Sequence, residues 1–168
     1  MHLLRDALPD ARGRALLRVV GVGNPWRRDD AAGLYAARAL REALPAGVEV
    51  LEEDGEPTAL LDAFDGAEAL WLVDAVSSGA APGTVHRLDA GREELPADLF
   101  RTSTHHLGLA DAVELGRALG QLPAHVVVFG IEGENFDPGD SLTPAVEAAV
   151  AAVARQVSEE VAACTKRP

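Results

Sequence analysis

The feature that most constrains this chain is the alternation, along its length, of short apolar runs with helical patterns. Runs rich in valine and leucine predict strands at 15–22, 48–54, 69–76 and 124–133. Apolar residues that recur at helical spacing predict helices at 29–44, 57–64, 106–119 and 143–163. Because strands that alternate with helices pair in parallel, we predict an α/β fold with a mostly parallel sheet between two helical layers.

Residues that favour turns and helix starts refine this order of elements. The segment 82–90 follows a turn that contains glycine and proline, and it alternates only weakly, which indicates an edge strand. Pro57 and Pro144 stand where the first turn of a helix accepts proline. Thr143 is the predicted N-cap of the last helix.

Length and composition limit the classes of function. The chain has 168 residues, and we predict one domain at 15–163, with a loosely held extension at 1–14 and a tail at 164–168. Its net charge of -12 would repel a polyanion, so nucleic acid is not a favoured partner. No apolar stretch reaches the roughly 20 residues of a membrane span, and Cys164 has no second cysteine to pair with. We therefore expect a cytoplasmic protein with neither a nucleic-acid nor a membrane partner.

The stretch GVGNPWRRDD, residues 21–30, leaves the first strand through two glycines. Such glycines first indicate a dinucleotide fingerprint, and Asp54 at the end of the second strand would suit a ribose contact. The third glycine is missing, however, and Pro25 removes a backbone donor. Asp29 and Asp30 also occupy the helix N-terminus, where they would repel a pyrophosphate. The loop therefore favours a cation, unless both aspartates only cap the helix.

A third aspartate and a histidine are predicted at the same edge of the sheet. Asp74 ends an otherwise apolar strand, where a charge must be paired, hydrogen-bonded or bound to a metal. His105 lies farther into its loop than His106 and is the better ligand candidate. Two alternatives stay open: Asp74 bonds to the turn that starts at Ser77, and both histidines are solvated. Together, Asp30, Asp74 and His105 form a candidate site for a borderline divalent metal with open positions.

Four motifs follow one another along the chain: GVGNPWRRDDAAG, VDAVSSGAAPGTV, STHHLGLADAVEL and VVVFGIEGENFDPGDSLTPAVEAAV. In this order they resemble the nickel-iron hydrogenase maturation endopeptidases, and the resemblance runs from about residue 18 to residue 147. It implies a three-layer α/β/α sandwich around a twisted, five-stranded, mostly parallel sheet with one antiparallel edge strand.

The resemblance also implies an activity and a site. Members of the family remove a short C-terminal extension from the precursor of the hydrogenase large subunit once nickel has been inserted. The metal-contacting positions of the family match Asp30, Asp74 and His105 here, although many members carry glutamate at the position of Asp30. We therefore expect an aspartyl-type, metal-dependent endopeptidase whose nickel is supplied by the substrate and is bound weakly, or not at all, by the isolated protein.

Two other classes of function stay open at this point. A metal-sensing module would bind the precursor without cutting it, and a dinucleotide-binding domain would use the glycines and Asp54. The chain has no G-x-S-x-G elbow and no H-E-x-x-H helix, so neither serine chemistry nor a standard zinc protease is supported. Trp26, Arg27 and Arg28, on the same loop as Asp30, are further candidates to hold the tail of the precursor.

Overall fold

The computed structural model of the protein describes residues 16–96, 98–100 and 108–166. Within these ranges, one sheet is formed by β1 (Leu17–Val22), β2 (Val48–Glu53), β3 (Ala69–Val76), β4 (Val85–Asp89) and β5 (His125–Glu132). The helices are α1 (Ala32–Ala43), α2 (Pro57–Phe64), α3 (Leu109–Ala118) and α4 (Pro144–Thr165). A 3-10 turn, Arg28–Ala31, leads directly into α1. The predicted extension at 1–14 lies outside the described residues.

The sheet has the strand order β2-β1-β3-β5-β4. Neighbouring strands pair in parallel except for β4, which runs antiparallel to β5 at one edge. The central strands β1 and β3 are buried along their whole length, as expected of strands that are covered on both faces. The structure therefore confirms the mostly parallel sheet and the antiparallel edge strand.

The order of the strands reverses between β1 and β3. From β1 the chain first adds β2 on one side of the sheet and then β3 on the other. Loops that leave the carboxyl ends of two such strands diverge and open a crevice, which is where open α/β sheets bind their ligands. The fold thus points to the loops after β1 and β3 before any residue in them is considered.

Two hydrophobic cores, one on each face of the sheet, complete the layers. On one face Trp71 and Phe129 pack with residues of α1 and α4. On the other face Leu72 and Val76 pack with residues of α2 and α3. Because side chains alternate along a strand, Asp74 projects from the same face as Leu72 and Val76. The three-layer α/β/α sandwich is confirmed.

The helix ends differ in part from the sequence prediction. The helix predicted from residue 29 begins as a 3-10 turn, and α1 proper starts at Ala32. Helix α4 continues to Thr165, so two residues of the predicted tail are helical, and Cys164 packs half-buried against the core. Thr143 is the N-cap residue of α4, but its side chain makes no capping bond. None of the described helices is long and apolar enough to cross a membrane.

Glycine allows α1 to begin in direct contact with the two central strands. A Cβ on Gly33 would lie well inside van der Waals contact of the carbonyl oxygens of Val22 in β1 and Val73 in β3. A Cβ on Gly21 would collide with the carbonyl oxygen of Gly33 in the same way. This close packing sets the preceding turn, Arg28–Ala31, against the carboxyl ends of β1 and β3.

We expect Gly33→Ala to destabilise the fold. Alanine is ordinarily about 1 kcal/mol better than glycine inside a helix, but here the added methyl group meets backbone carbonyls that cannot turn away. The free energy of unfolding, measured by urea denaturation, should fall by about 2–3 kcal/mol. The control is Ala39→Ser on the exposed side of α1, which should change it by less than about 1 kcal/mol. An unchanged denaturation midpoint for Gly33→Ala would contradict the close contact.

Candidate functional site

The turn after β1 and the carboxyl end of β3 bring two acidic residues to the point where the strand order reverses. Asp30 lies in the 3-10 turn that follows β1, and Asp74 lies in the last part of β3. Both residues are buried. They are close enough that, after burial itself, the negative charge of Asp30 is the next cause that raises the pKa of Asp74. The structure thus brings together the two aspartates that the sequence singled out.

The surroundings of Asp74 do not fully stabilise the charged form of its carboxyl group. Its Oδ1 accepts a hydrogen bond of 2.8 Å from the backbone N–H of Ala75. Burial raises the pKa of Asp74 well above its ordinary value, the charge of Asp30 adds to this, and the Ala75 bond offsets only part of it. The amides of the turn after β3, at Ser78 and Gly79, donate to Glu132 instead. These turn amides therefore do not satisfy Asp74.

Asp30 is held by the turn in which it lies. Its N–H donates to the carbonyl oxygen of Arg27 at 3.0 Å, and Nη1 of Arg27 lies 3.7 Å from Oδ2 of Asp30. Gly23 permits this turn, because a Cβ there would collide with the carbonyl oxygen of Asp30. The N-cap residue of the 3-10 turn is Arg27, whose side chain makes no capping bond, and Asp30 lies inside the turn rather than at its N-cap position.

The neighbouring Asp29 has a structural role. Its fully buried carboxylate accepts hydrogen bonds of 2.8–2.9 Å from the N–H groups of Glu134, Asn135 and Thr143 and from the Thr143 hydroxyl. Burial raises the pKa of Asp29, but these bonds lower it by more, so the pKa lies below its ordinary value. Asp29 thereby ties the turn after β1 to the loop between β5 and α4, residues 133–143, and engages the hydroxyl predicted to cap α4.

A fourth buried carboxylate, Glu132 at the end of β5, is one that the sequence analysis missed. It accepts hydrogen bonds from the N–H and hydroxyl of Ser78 at 2.6 and 2.8 Å and from the N–H of Gly79 at 3.1 Å. His86 Nε2 lies 3.2 Å from its Oε2. Burial raises the pKa of Glu132, but these bonds lower it by more. An acid at the end of an apolar strand, the signal that indicated Asp74, would also have found it.

The four buried carboxylates therefore fall into two groups that differ in their surroundings. Asp29 and Glu132 are surrounded by hydrogen-bond donors, and the pKa of each is lowered. Asp74 faces the charge of Asp30, and its pKa is raised. A buried charge with too little compensation is costly and is typical of functional sites. A divalent cation at Asp30 and Asp74 would relieve their repulsion, so these are the residues that could hold a metal.

His105, the third predicted residue, lies outside the described residues, as does His106. Within the described part of the chain, no group of three or more His, Cys, Asp or Glu residues could hold a metal ion. The described carboxylates alone thus do not make a closed metal site. A site completed by His105 stays a prediction.

The residues that flank the segment 101–107 are placed on the face of the sheet that carries Asp74. A Cβ on Gly108 would lie 2.7 Å from the carbonyl oxygen of Phe100, so the two flanks of the segment are in contact. The Phe100 ring lies 3.6 Å from the position of a Cβ on Gly130. Gly130 in turn pairs with Asp74 across β3 and β5. The chain therefore enters and leaves this segment at the level of Asp74.

The features that favoured a dinucleotide have other partners in the structure. Asp54 accepts a hydrogen bond of 3.0 Å from the N–H of Glu56, at the start of α2. Gly21 and Gly33 serve the contact between α1 and the strands. Buried carboxylates, moreover, occupy the turn where a pyrophosphate would bind. The geometry gives the dinucleotide hypothesis no support.

Asp74→Asn is expected to stabilise the fold near pH 8. The pKa of Asp74 is higher in the folded than in the unfolded chain, so its ionisation removes stability as pH rises from the unfolded value, about 3.9, through the folded one. Asparagine removes that charge, and we expect the melting temperature to rise by about 2–4 °C. At about pH 3.5, where Asp74 is protonated in the folded chain, the effect should be small.

Asp29→Asn is the matched variant, and we expect it to destabilise the fold rather than stabilise it. The pKa of Asp29 is lowered on folding, so its stabilisation is present above the unfolded value, about 3.9, and is lost as pH falls through the folded one. Asparagine turns an amide NH2 towards N–H donors, and we expect a loss of about 2–4 kcal/mol at neutral pH, measured by urea denaturation. A loss of similar size in both variants would contradict the division into structural and functional carboxylates.

Comparison with known proteins shows the family to which the chain belongs. Residues 34–160 match a family model described as HycI, hydrogenase maturation protease. The hydrogenase 2 maturation protease of Escherichia coli (strain K12) is 38% identical over 144 residues, which cover 83% of this chain and 86% of that protein.

Solved structures agree with the sequence comparison. The hydrogenase maturating endopeptidase HybD from E. coli matches with a TM-score of 0.68 and 32% identity, over 84% of this chain and 89% of that one. The NiFe hydrogenase maturation protease HybD from Thermococcus kodakarensis matches with a TM-score of 0.69 and 30% identity, over 87% of this chain and 98% of that one. This chain therefore belongs to the hydrogenase maturation protease family and is an endopeptidase, a member of the hydrolases.

Proposed function

We propose that this endopeptidase removes a C-terminal extension from the nickel-loaded precursor of the large subunit of a nickel-iron hydrogenase. The observation that carries the proposal is the pair of buried acidic residues, Asp30 and Asp74, at the point where the strand order reverses between β1 and β3. Membership of the maturation protease family supplies the class of substrate. The carboxylate pair supplies a reason for cleavage to depend on a metal.

Nickel enters this proposal as part of the substrate. Held by cysteines of the precursor, it has open positions that Asp30, Asp74 and His105 complete. Oxygen and imidazole nitrogen donors suit a borderline divalent metal of this kind. The cation offsets the repulsion between the two aspartates, so a loaded precursor binds in a way that an empty one does not. Free nickel, which lacks the cysteines, binds this site weakly.

Hydrolysis follows from this arrangement. The nickel site fixes the peptide bond to be cleaved beside the two carboxylates. A water activated by the nickel or by one carboxylate attacks the peptide carbonyl carbon, the C–N bond breaks, and the leaving amine takes up a proton. In this sense the enzyme is an aspartyl-type, metal-dependent endopeptidase, and we place its action in the cytoplasm.

A binding module that senses the metal without cutting is the competing function. It would use the same carboxylates and would differ only in leaving the precursor intact. The match to relatives described as a maturation protease and a maturating endopeptidase favours cleavage. The two functions differ in one quantity, the mass of the precursor after incubation.

Intact mass spectrometry of the nickel-loaded precursor is the direct test. We expect the native protein to release a C-terminal peptide, and we expect Asp74→Asn to reduce the rate of release by at least about a hundredfold. Asp65→Asn is the matched control, because Asp65 is exposed and precedes β3 at the opposite end of the strand from Asp74. It should cleave at the native rate.

The same experiment includes the metal-free precursor. If nickel is the recognised feature, precursor purified without nickel should stay intact with the native protein. A precursor that is bound but never shortened would favour the non-cutting module. Equal cleavage of loaded and empty precursor would contradict the proposed role of the metal.

A further inference from the structure

Trp26 is the most exposed large hydrophobic side chain of the described residues. It has 71% of its surface accessible, whereas the other tryptophan of the chain, Trp71, is fully buried. An indole left in water forgoes a large apolar stabilisation. Its position on the loop between β1 and Asp30 therefore calls for a physical reason.

The backbone around Trp26 is fixed, so its exposure does not come from a loose loop. The N–H of Trp26 donates to the side-chain oxygen of Asn24 at 2.9 Å. Its carbonyl oxygen accepts from the N–H of Gly139 at 2.9 Å, and the N–H of Arg28 donates to the carbonyl oxygen of Gly139 at 3.1 Å. The loop 133–143, which Asp29 holds in place, thus braces the backbone that carries the indole. An exposed aromatic side chain on a braced backbone is suited to anchor a partner.

The two arginines beside Trp26 are engaged within the protein. The guanidinium of Arg27 lies 3.7 Å from the carboxylate of Asp30. Nη1 of Arg28 donates to the hydroxyl of Ser141 at 3.3 Å. The side chain that this loop offers to a partner is therefore the flat, apolar indole of Trp26, rather than a cluster of positive charge.

The distance along the chain limits what can reach Trp26. Trp26 precedes Asp30 by four positions, so their Cα atoms are at most about 15 Å apart. A polypeptide that binds at Asp30 in extended form advances about 3.3 Å per residue. The precursor segment within about five residues of the cleaved bond therefore lies within reach of the indole. The indole is therefore near enough along the chain to contact the substrate beside the proposed cleavage site.

We propose that Trp26 is a specificity-determining residue, which binds an apolar side chain of the precursor within about five residues of the cleaved bond. This proposal rests on the proposed function, because it assumes that the bond to be cleaved lies at Asp30 and Asp74. The contact contributes affinity and orientation, and Trp26 takes no part in the bond-breaking step.

The two tryptophans allow binding to be observed without cleavage. Protein labelled with 5-fluorotryptophan should give two fluorine resonances, and Trp26→Phe assigns the resonance of Trp26 by its loss. We expect unlabelled nickel-loaded precursor to shift the resonance of Trp26 and to leave the chemical shift of buried Trp71 unchanged. The titration uses the native protein and the Asp74→Asn variant, in which the complex is not consumed.

Kinetics of precursor cleavage give the second measurement. Trp26→Ala should raise KM about tenfold with kcat changed less than about twofold, the effect expected from loss of an anchoring side chain. Trp26→Phe should recover most of the native KM. Leu119→Ala is the matched control, since Leu119 is another exposed apolar residue, 56% accessible, at the end of α3. It should leave KM unchanged.

The outcomes separate the two proposals. Normal cleavage with an unshifted Trp26 resonance and a native KM for Trp26→Ala would overturn the role of Trp26 and leave the proposed function standing. A shifted Trp26 resonance without cleavage by the native protein would support a docking surface and overturn the proposed function. A precursor that neither shifts the resonance nor is cleaved would overturn both.

Discussion

The close approach of two buried acidic residues, Asp30 and Asp74, is the constraint on which the candidate site depends. The two side chains are buried at the carboxyl ends of the central strands β1 and β3. The pKa of Asp74 is raised by burial and by the charge of its neighbour. Such a pair lowers the stability of the isolated protein unless something else supports the surrounding backbone. In the proposed function, a cation brought by the substrate relieves the repulsion between the two acids, so that recognition of the metal and assembly of the active site are the same event.

The support comes from contacts that fix the backbone around this pair. Gly33 lets α1 start directly on β1 and β3. Asp29 joins the turn after β1 to the loop before α4, and Glu132 joins the turn after β3 to the end of β5. Each of these buried carboxylates is surrounded by donors, which lowers its pKa and makes it a stable structural link. Of the adjacent acids Asp29 and Asp30, Asp29 thus links two segments of the fold, whereas Asp30 lies beside Asp74 and is the one to which we assign a role in the proposed function.

Much of the fold, and part of the site, could be predicted from local patterns. Apolar runs separated by helical patterns gave the parallel sheet, and a charge in the apolar strand β3 indicated Asp74. Long-range partners were not predictable in this way: Thr143 lies 114 residues from Asp29, and its hydroxyl donates there instead of capping α4. Glu132 was missed because its donors come from the turn at Ser78, 54 residues earlier. The role of His105 stays a prediction, since it lies outside the described residues.

In the proposed function, Asp30 and Asp74 become ligands of nickel that the precursor carries. X-ray absorption at the nickel edge of the loaded precursor, before and after addition of an excess of this protein, measures those ligands. We expect oxygen or nitrogen neighbours to join the sulfur neighbours of nickel when the native protein, Trp26→Ala or Asp65→Asn is added at saturating concentration. A double Asp30→Asn and Asp74→Asn variant should cause no such change. If the nickel environment stays unchanged in a complex that is shown to form with the native protein, Asp30 and Asp74 are not ligands of the nickel.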